Sequence, residues 1–250
     1  MRLLLPVLLA VSPALAQAAD PAPPLLPLTT ATVVSATPLR LALGGDVVSG
    51  STTQATGSAT AEVAIAARVA ISVQGQLTTG DDAPVLGAQA RGQILKQADV
   101  GVDLGALVRY KRDGFDAGAG EVEGAITAGR ALGSTNLYVN AVLGAELDRP
   151  ERDAEVAVAL LTPILPSLPV SVNIGADTRA RFRLGDPGEG DDADAAAGEA
   201  EHDVDATALG VASVGAARWT IGVHAGAEYL AAASFAYVQG VGGLAAQVVF

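Results

Sequence analysis

The chain has 250 residues, half of them hydrophobic, yet only 4% aromatic and 17% charged, with 29 Gly, 13 Pro, no Cys and a formal net charge of -12. That apolar content excludes disorder for the bulk of the chain. The missing cysteines exclude disulfide scaffolds, thiolate metal sites and cysteine nucleophiles. The acidic balance argues against a general nucleic-acid binder, which needs a basic face.

Residues 1–18 carry the pattern of a secretory signal peptide: Arg2 supplies the positive start, Leu3 to Val11 the apolar run, and Ala14-Leu15-Ala16 or Ala16-Gln17-Ala18 a small-x-small cleavage site. An apolar run of about ten residues that contains Pro6 is too short for the roughly 20 of a spanning helix. Pro21, Pro23, Pro24 and Pro27 then make residues 19–27 an expected extended linker, and 28–250 a single domain.

That domain alternates, segment after segment. From Ala59 to Leu77 the odd positions include Val63, Ile65, Val69, Ile71 and Val73, and the even ones Glu62, Arg68, Ser72, Gln74 and Gln76. Between Pro169 and Gly185, Val170, Val172, Ile174, Phe182 and Leu184 alternate with Ser171, Asn173, Asp177, Arg179, Arg181 and Arg183. Between Arg218 and Leu230, Trp219, Ile221, Val223 and Tyr229 alternate with Thr220, His224 and Glu228. The same reading covers 86–96, 100–112, 120–132, 136–148 and 154–162, with 39–49 and 206–216 weaker because Ala and Gly blur the faces. A period of two places alternate side chains on opposite faces of a strand.

A soluble sandwich is apolar inside, whereas a membrane barrel is apolar outside around a polar lumen. Three features favour the membrane. The segments are longer than the five or six residues usual for soluble strands and near a tilted bilayer span. Charges keep to one parity, the exceptions Lys96, Arg112 and Arg130 falling at segment ends. The aromatics on the apolar parity also cluster by end, with Tyr110, Phe182 and Tyr229 at one and Trp219 and Phe250 at the other, as an interfacial girdle would.

The chain closes on Leu244, Ala246, Val248 and Phe250 in alternation. With the signal peptide and the strand pattern, this resembles the bacterial outer-membrane β-barrel (porin-like) proteins. The resemblance implies an antiparallel transmembrane barrel in the bacterial outer membrane, contact with outer-membrane lipid, and a last strand ending in Phe250 that the barrel-insertion machinery recognises.

An even strand number is the rule for such barrels, so we read twelve strands, taking Thr29 to Ser35 as the extra one, with ten as the fallback. Turn-like links at Lys96 to Asp99, Gly133 to Thr135, Pro163 to Pro169 and Ala216-Ala217 are assigned to the periplasmic side. The outer side takes Thr78 to Pro84, Asp113 to Gly120, Asp148 to Asp153, a short link near Ala231, and the stretch Asp186 to Asp205 with its nine acids. That stretch is expected to be a solvated acidic outer loop; it lacks the spacing of a calcium loop, and no metal or cofactor is assigned.

The polar parity supplies the expected pore-lining residues: Glu62, Arg68, Arg91, Asp103, Arg109, Asp177, Arg179, Arg181, Arg183, Arg218 and Glu228. The Arg179-Arg181-Arg183 ladder, set against acids across the lumen, would impose a transverse field on solutes. The function expected is a passive porin-like channel for small solutes. A closed structural or surface-display barrel is the alternative. The third reading is a hydrolase using His224, with Glu228 or Thr220 beside it on the strand; no G-x-S-x-G motif accompanies it, so no catalytic residue is assigned.

Overall fold

The computed structural model describes residues 25–30, 39–50, 52–80, 84–113, 120–147, 152–165, 170–184, 204–232 and 235–250. Twelve antiparallel strands form one closed barrel: β1 (Leu39–Ser49), β2 (Thr53–Ala66), β3 (Val69–Thr78), β4 (Val85–Leu95), β5 (Asp103–Asp113), β6 (Gly120–Leu132), β7 (Thr135–Glu146), β8 (Arg152–Pro163), β9 (Ser171–Arg183), β10 (Val204–Ala216), β11 (Trp219–Ala232) and β12 (Phe235–Val249). One short helix, α1 (Gln97–Val100), sits between β4 and β5. Each strand pairs with its sequence neighbours, and β1 closes on β12 from Arg40↔Val249 to Ser49↔Gly240.

The twelfth strand comes from a place the alternation conceals. The segment from Ala59 to Leu77 is two strands, β2 and β3, joined at Ala67-Arg68. A two-residue turn, with Ala66 opposite Val69, shifts the outward parity by one residue; the bulge between Ala64 and Ala66 shifts it back. Odd residues therefore face outward on both strands, and the sequence pattern runs through the hairpin without a break. The expected extra strand over Thr29 to Ser35 is not part of the wall: Thr29 and Thr30 lie inside the barrel, as their contacts below show, and 31–38 fall outside the described residues. Elsewhere the two-residue links Gly133-Ser134 and Ala217-Arg218 change parity in the ordinary way, Leu132 pairing Thr135 and Ala216 pairing Trp219. Gly133 adopts φ 66°, which glycine reaches without the Cβ clash of other residues.

The apolar parity points outward. Leu43, Ile71, Val73, Val108, Ile126, Leu143, Val156, Ile174, Val223 and Leu244 are all exposed on the outer wall, while Glu62, Arg91, Glu123, Asn140, Asp177, Thr207 and Gln247 are buried on the inner one. This distribution is the inverse of a soluble core. Strands of 10 to 15 residues, tilted as in a barrel, match an apolar band about 25 Å tall.

Val108 lies midway along β5 and is 59% exposed. Val108→Arg should lower stability in lipid vesicles by about 2–4 kcal/mol, the cost of a cation near the bilayer midplane. Urea unfolding checks this, and a midpoint unchanged by Arg would place that face in water.

Candidate functional site: the charged lumen and its N-terminal occupant

Among the described residues, inward-facing positions carry most of the charge. On one wall, Glu62 of β2 receives Arg91 of β4 at 2.7 Å and Arg40 of β1 at 3.2 Å. Next to them, Glu123 of β6 takes both Arg109 and Lys111 of β5, and Lys111 also reaches Glu121 at 3.4 Å. On the far wall, Arg179 of β9 spans Asp205 of β10 at 3.0 Å and Glu228 of β11 at 3.5 Å, while Arg181 pairs with Asp153 of β8. Gln239 of β12 donates to Glu228 at 2.6 Å and extends the network around the ring. The alternating sign follows from confinement: a charge withdrawn from bulk water needs a partner to offset its desolvation.

Of the residues expected to line a pore, Glu62, Arg91, Arg109, Asp177, Arg179, Arg181, Arg183 and Glu228 occupy inner-face positions. Asp103 is inward but committed to the barrel end, accepting from the Gln93 amide at 2.9 Å and the Gln97 backbone N–H at 2.8 Å, which ties down α1. Arg68 and Arg218 are corrections. Both sit on two-residue turns: Arg68 in the β2–β3 hairpin within 59–77, where it pairs with Asp99 at 3.8 Å, and Arg218 because the turn before β11 is Ala217-Arg218, one residue later than Ala216-Ala217. The arginine ladder is also matched differently from expectation. The acids paired with Arg179 and Arg181 come from the adjacent strands β8 and β10 and from β11, one strand further, not from across the lumen.

Arg40, Asp46, Asp153, Glu155 and Asp205 are inner-face residues that the sequence reading passed over. Asp205 was counted with the acidic loop, yet it is the second residue of β10; the rest of the loop, 186–203, lies outside the described residues. The alternation Asp153, Glu155, Ala157 within β8 was the available signal.

His224 is inward, buried, and 2.7 Å through Nε2 from Asp46 of β1. The expected partner Glu228 is instead engaged with Arg179, Thr207 and Gln239. Gly243 of β12 makes the pairing possible, since a Cβ there would run into the Asp46 carboxylate and lie 2.8 Å from the His224 ring. Gly144 clears space in the same way for Asp153 and Glu121.

Residues 25–30 lie within the ring. Asp177, fully buried, accepts from the backbone N–H of Leu28 at 2.8 Å, that of Thr29 at 3.2 Å, and the Thr29 hydroxyl at 2.5 Å. Asn140 of β7, its amide oriented so that both ends are satisfied, accepts from the Thr30 N–H at 2.6 Å and donates to the Thr30 carbonyl at 3.1 Å. Leu26 and Leu28 pack on an inner apolar patch of Leu161, Leu209 and Val211, beside Tyr138 and Val241. Leu25 to Pro27, read from sequence as linker, belong to this lumenal segment. Beside it remains a cavity of about 310 Å³, lined by Arg40, Asp46, Gln74, Arg91, Arg109 and His224 among others.

The aromatics expected at the interfaces all face outward, each about two-fifths exposed. Tyr110, Phe182 and Tyr229 lie toward the end with the longer connections, and Trp219 and Phe250 toward the end with the two-residue turns.

No family model matches the chain, and no curated protein matches it in sequence. Solved structures do match in fold. The KdgM porin aligns at a TM-score of 0.57 and 8% identity over 84% of this chain and 99% of its own. The NanC porin aligns at 0.61 and 8% over 83% and 98%. The fold is that of these porin barrels.

Glu62→Ala would leave Arg40 and Arg91 without their shared carboxylate and should destabilise the barrel by about 3–5 kcal/mol, as loss of one partner from a buried pair does. Adding Arg91→Leu should recover much of that. Urea unfolding of the single and double variants checks the coupling, and equal losses in both would show that Glu62 acts by packing alone.

Proposed function

We propose that the protein is a passive channel of the bacterial outer membrane for small hydrophilic solutes, exported by residues 1–18. The observation that carries this reading is the wall itself: apolar on its outer face, charged on its inner face, and closed around a polar-lined cavity. A barrel standing in water would not spend its largest aliphatic side chains on the outside.

Two roles follow for residues on the outer face. Tyr110, Phe182 and Tyr229 would anchor one membrane interface and Trp219 and Phe250 the other, aromatic rings being suited to the headgroup region. The strand ending in Phe250 would be the segment presented to the insertion machinery. The inner-face arginines and carboxylates would hold passing solutes by exchanging ion pairs with them.

A second reading, a closed barrel serving the envelope as structure or display, draws on one observation, the presence of residues 25–30 inside the lumen. Planar-bilayer recording separates the two. A channel gives discrete ohmic steps, small while the segment is in place. Silence from both the intact chain and a variant with residues 25–30 replaced by a Gly-Ser run of equal length would end the channel reading. A structure of the KdgM porin holds disordered oligogalacturonate, which makes acidic saccharides the first solutes to test in liposome swelling.

A further inference from the structure

The inner wall built by β7 to β10 has a chemistry that a water-filled passage does not call for. Asp177 and Asn140 address backbone groups rather than side chains: the carboxylate takes the N–H groups of two successive residues, and the amide takes both the N–H and the C=O of the next one. Together they hold residues 28, 29 and 30 by main-chain hydrogen bonds, in and just after the bend at Pro27-Leu28. Arg179, two residues along from Asp177 on the same face, is turned to Asp205 and Glu228. Beside these polar grips, with Leu209 directly opposite Asp177, the parity breaks its own rule, because Leu161, Leu209 and Val211 are inward apolar residues, at 4%, 3% and 7% exposure. Their cover is Leu26 and Leu28, two residues apart, which both pack on the patch.

We propose that this wall is a peptide-binding site for a short segment, with an apolar patch for residues two apart followed by a main-chain clamp at Asp177 and Asn140. Its occupant is the chain's own residues 25–30, which act as a removable plug. Occupied, the site confines the lumen to the cavity along β1 to β5 and β10 to β12; vacated, it returns the space beside β7 to β9 to the passage. The change in solute flow rests on the channel reading, whereas the occupancy of the site does not.

The absence of cysteine from the chain gives a clean background for the test. A Cβ built on Gly222 would lie 3.6 Å from the Leu25 Cβ, inside the roughly 3.5–4.5 Å that a disulfide needs. In the folded full-length protein, Leu25→Cys with Gly222→Cys should oxidise to a single intramolecular bridge. In planar bilayers the bridged form should conduct no more than the unaltered chain, and reductant should return it to the unaltered level. Asp177→Ala, or the Gly-Ser replacement of 25–30, should raise conductance several-fold.

Occupancy is read separately by maleimide labelling of Leu209→Cys, which should quicken at least ten-fold when Asp177→Ala or the Gly-Ser run is added. Heat-shifted gel mobility identifies the folded fraction of every variant. Absence of the bridge together with unchanged labelling would overturn the site. Faster labelling with unaltered conductance in conducting barrels would overturn the plug. Faster labelling with no current from any form would uphold the site and overturn the channel reading instead.

Discussion

Closure of the sheet by β1 on β12 is the constraint on which the rest of the structure depends. In hydrocarbon an unpaired backbone N–H or C=O has no water to turn to, at a cost of several kcal/mol each, so a wall of strands is viable only as a ring without edges. Ten successive pairings from Arg40↔Val249 to Ser49↔Gly240 complete that ring. Once it is closed, each strand has one face toward the surroundings and one toward a confined interior, and the period-two sequence pattern becomes a division between two solvents. A composition half hydrophobic with few charges then sorts itself along the described strands: aliphatic residues take the outer face, and most of the charges there take the inner one.

Confinement governs the interior. Cations there are drawn into pairs with acids on the next strand or the next but one, the distances long side chains reach across a sheet. Arg179 reaches Asp205 on the next strand, and Arg91 of β4 reaches Glu62 of β2 over β3. Inner-face glycines have a complementary task. Gly243 and Gly144 leave the volume into which His224–Asp46 and Asp153 with Glu121 fit. The wall thus alternates bulky charged groups with bare backbone.

The inner apolar patch is the exception that gives the lumen its asymmetry. Leu161, Leu209 and Val211 would be poorly placed against water, and the segment at 25–30 covers them while giving its backbone groups to Asp177 and Asn140. One side of the barrel is therefore packed like a small protein core and the other is lined by polar and charged groups.

Much of this was legible in the chain alone, because strand parity, long segments and end-clustered aromatics are properties of local sequence: the antiparallel barrel, its twelve strands, and the inner-face positions of Glu62, Arg91, Arg109, Asp177, the β9 arginines and Glu228. The route to twelve was not. The β2–β3 hairpin was hidden by a bulge that restores the parity its turn removes, and this also misplaced Arg68. Partners across the sheet were equally beyond local reading, since Asp46 beside His224 and Asp205 beside Arg179 depend on register and ring closure. The lumenal place of residues 25–30 was furthest from reach, because six residues of a Pro-bearing stretch carry no period, and their position is set only by a clamp and a patch that four separate strands bring together. Sequence determined which side of each strand faces outward; tertiary structure decided what fills the space the other sides enclose, since that volume exists only once the ring has closed.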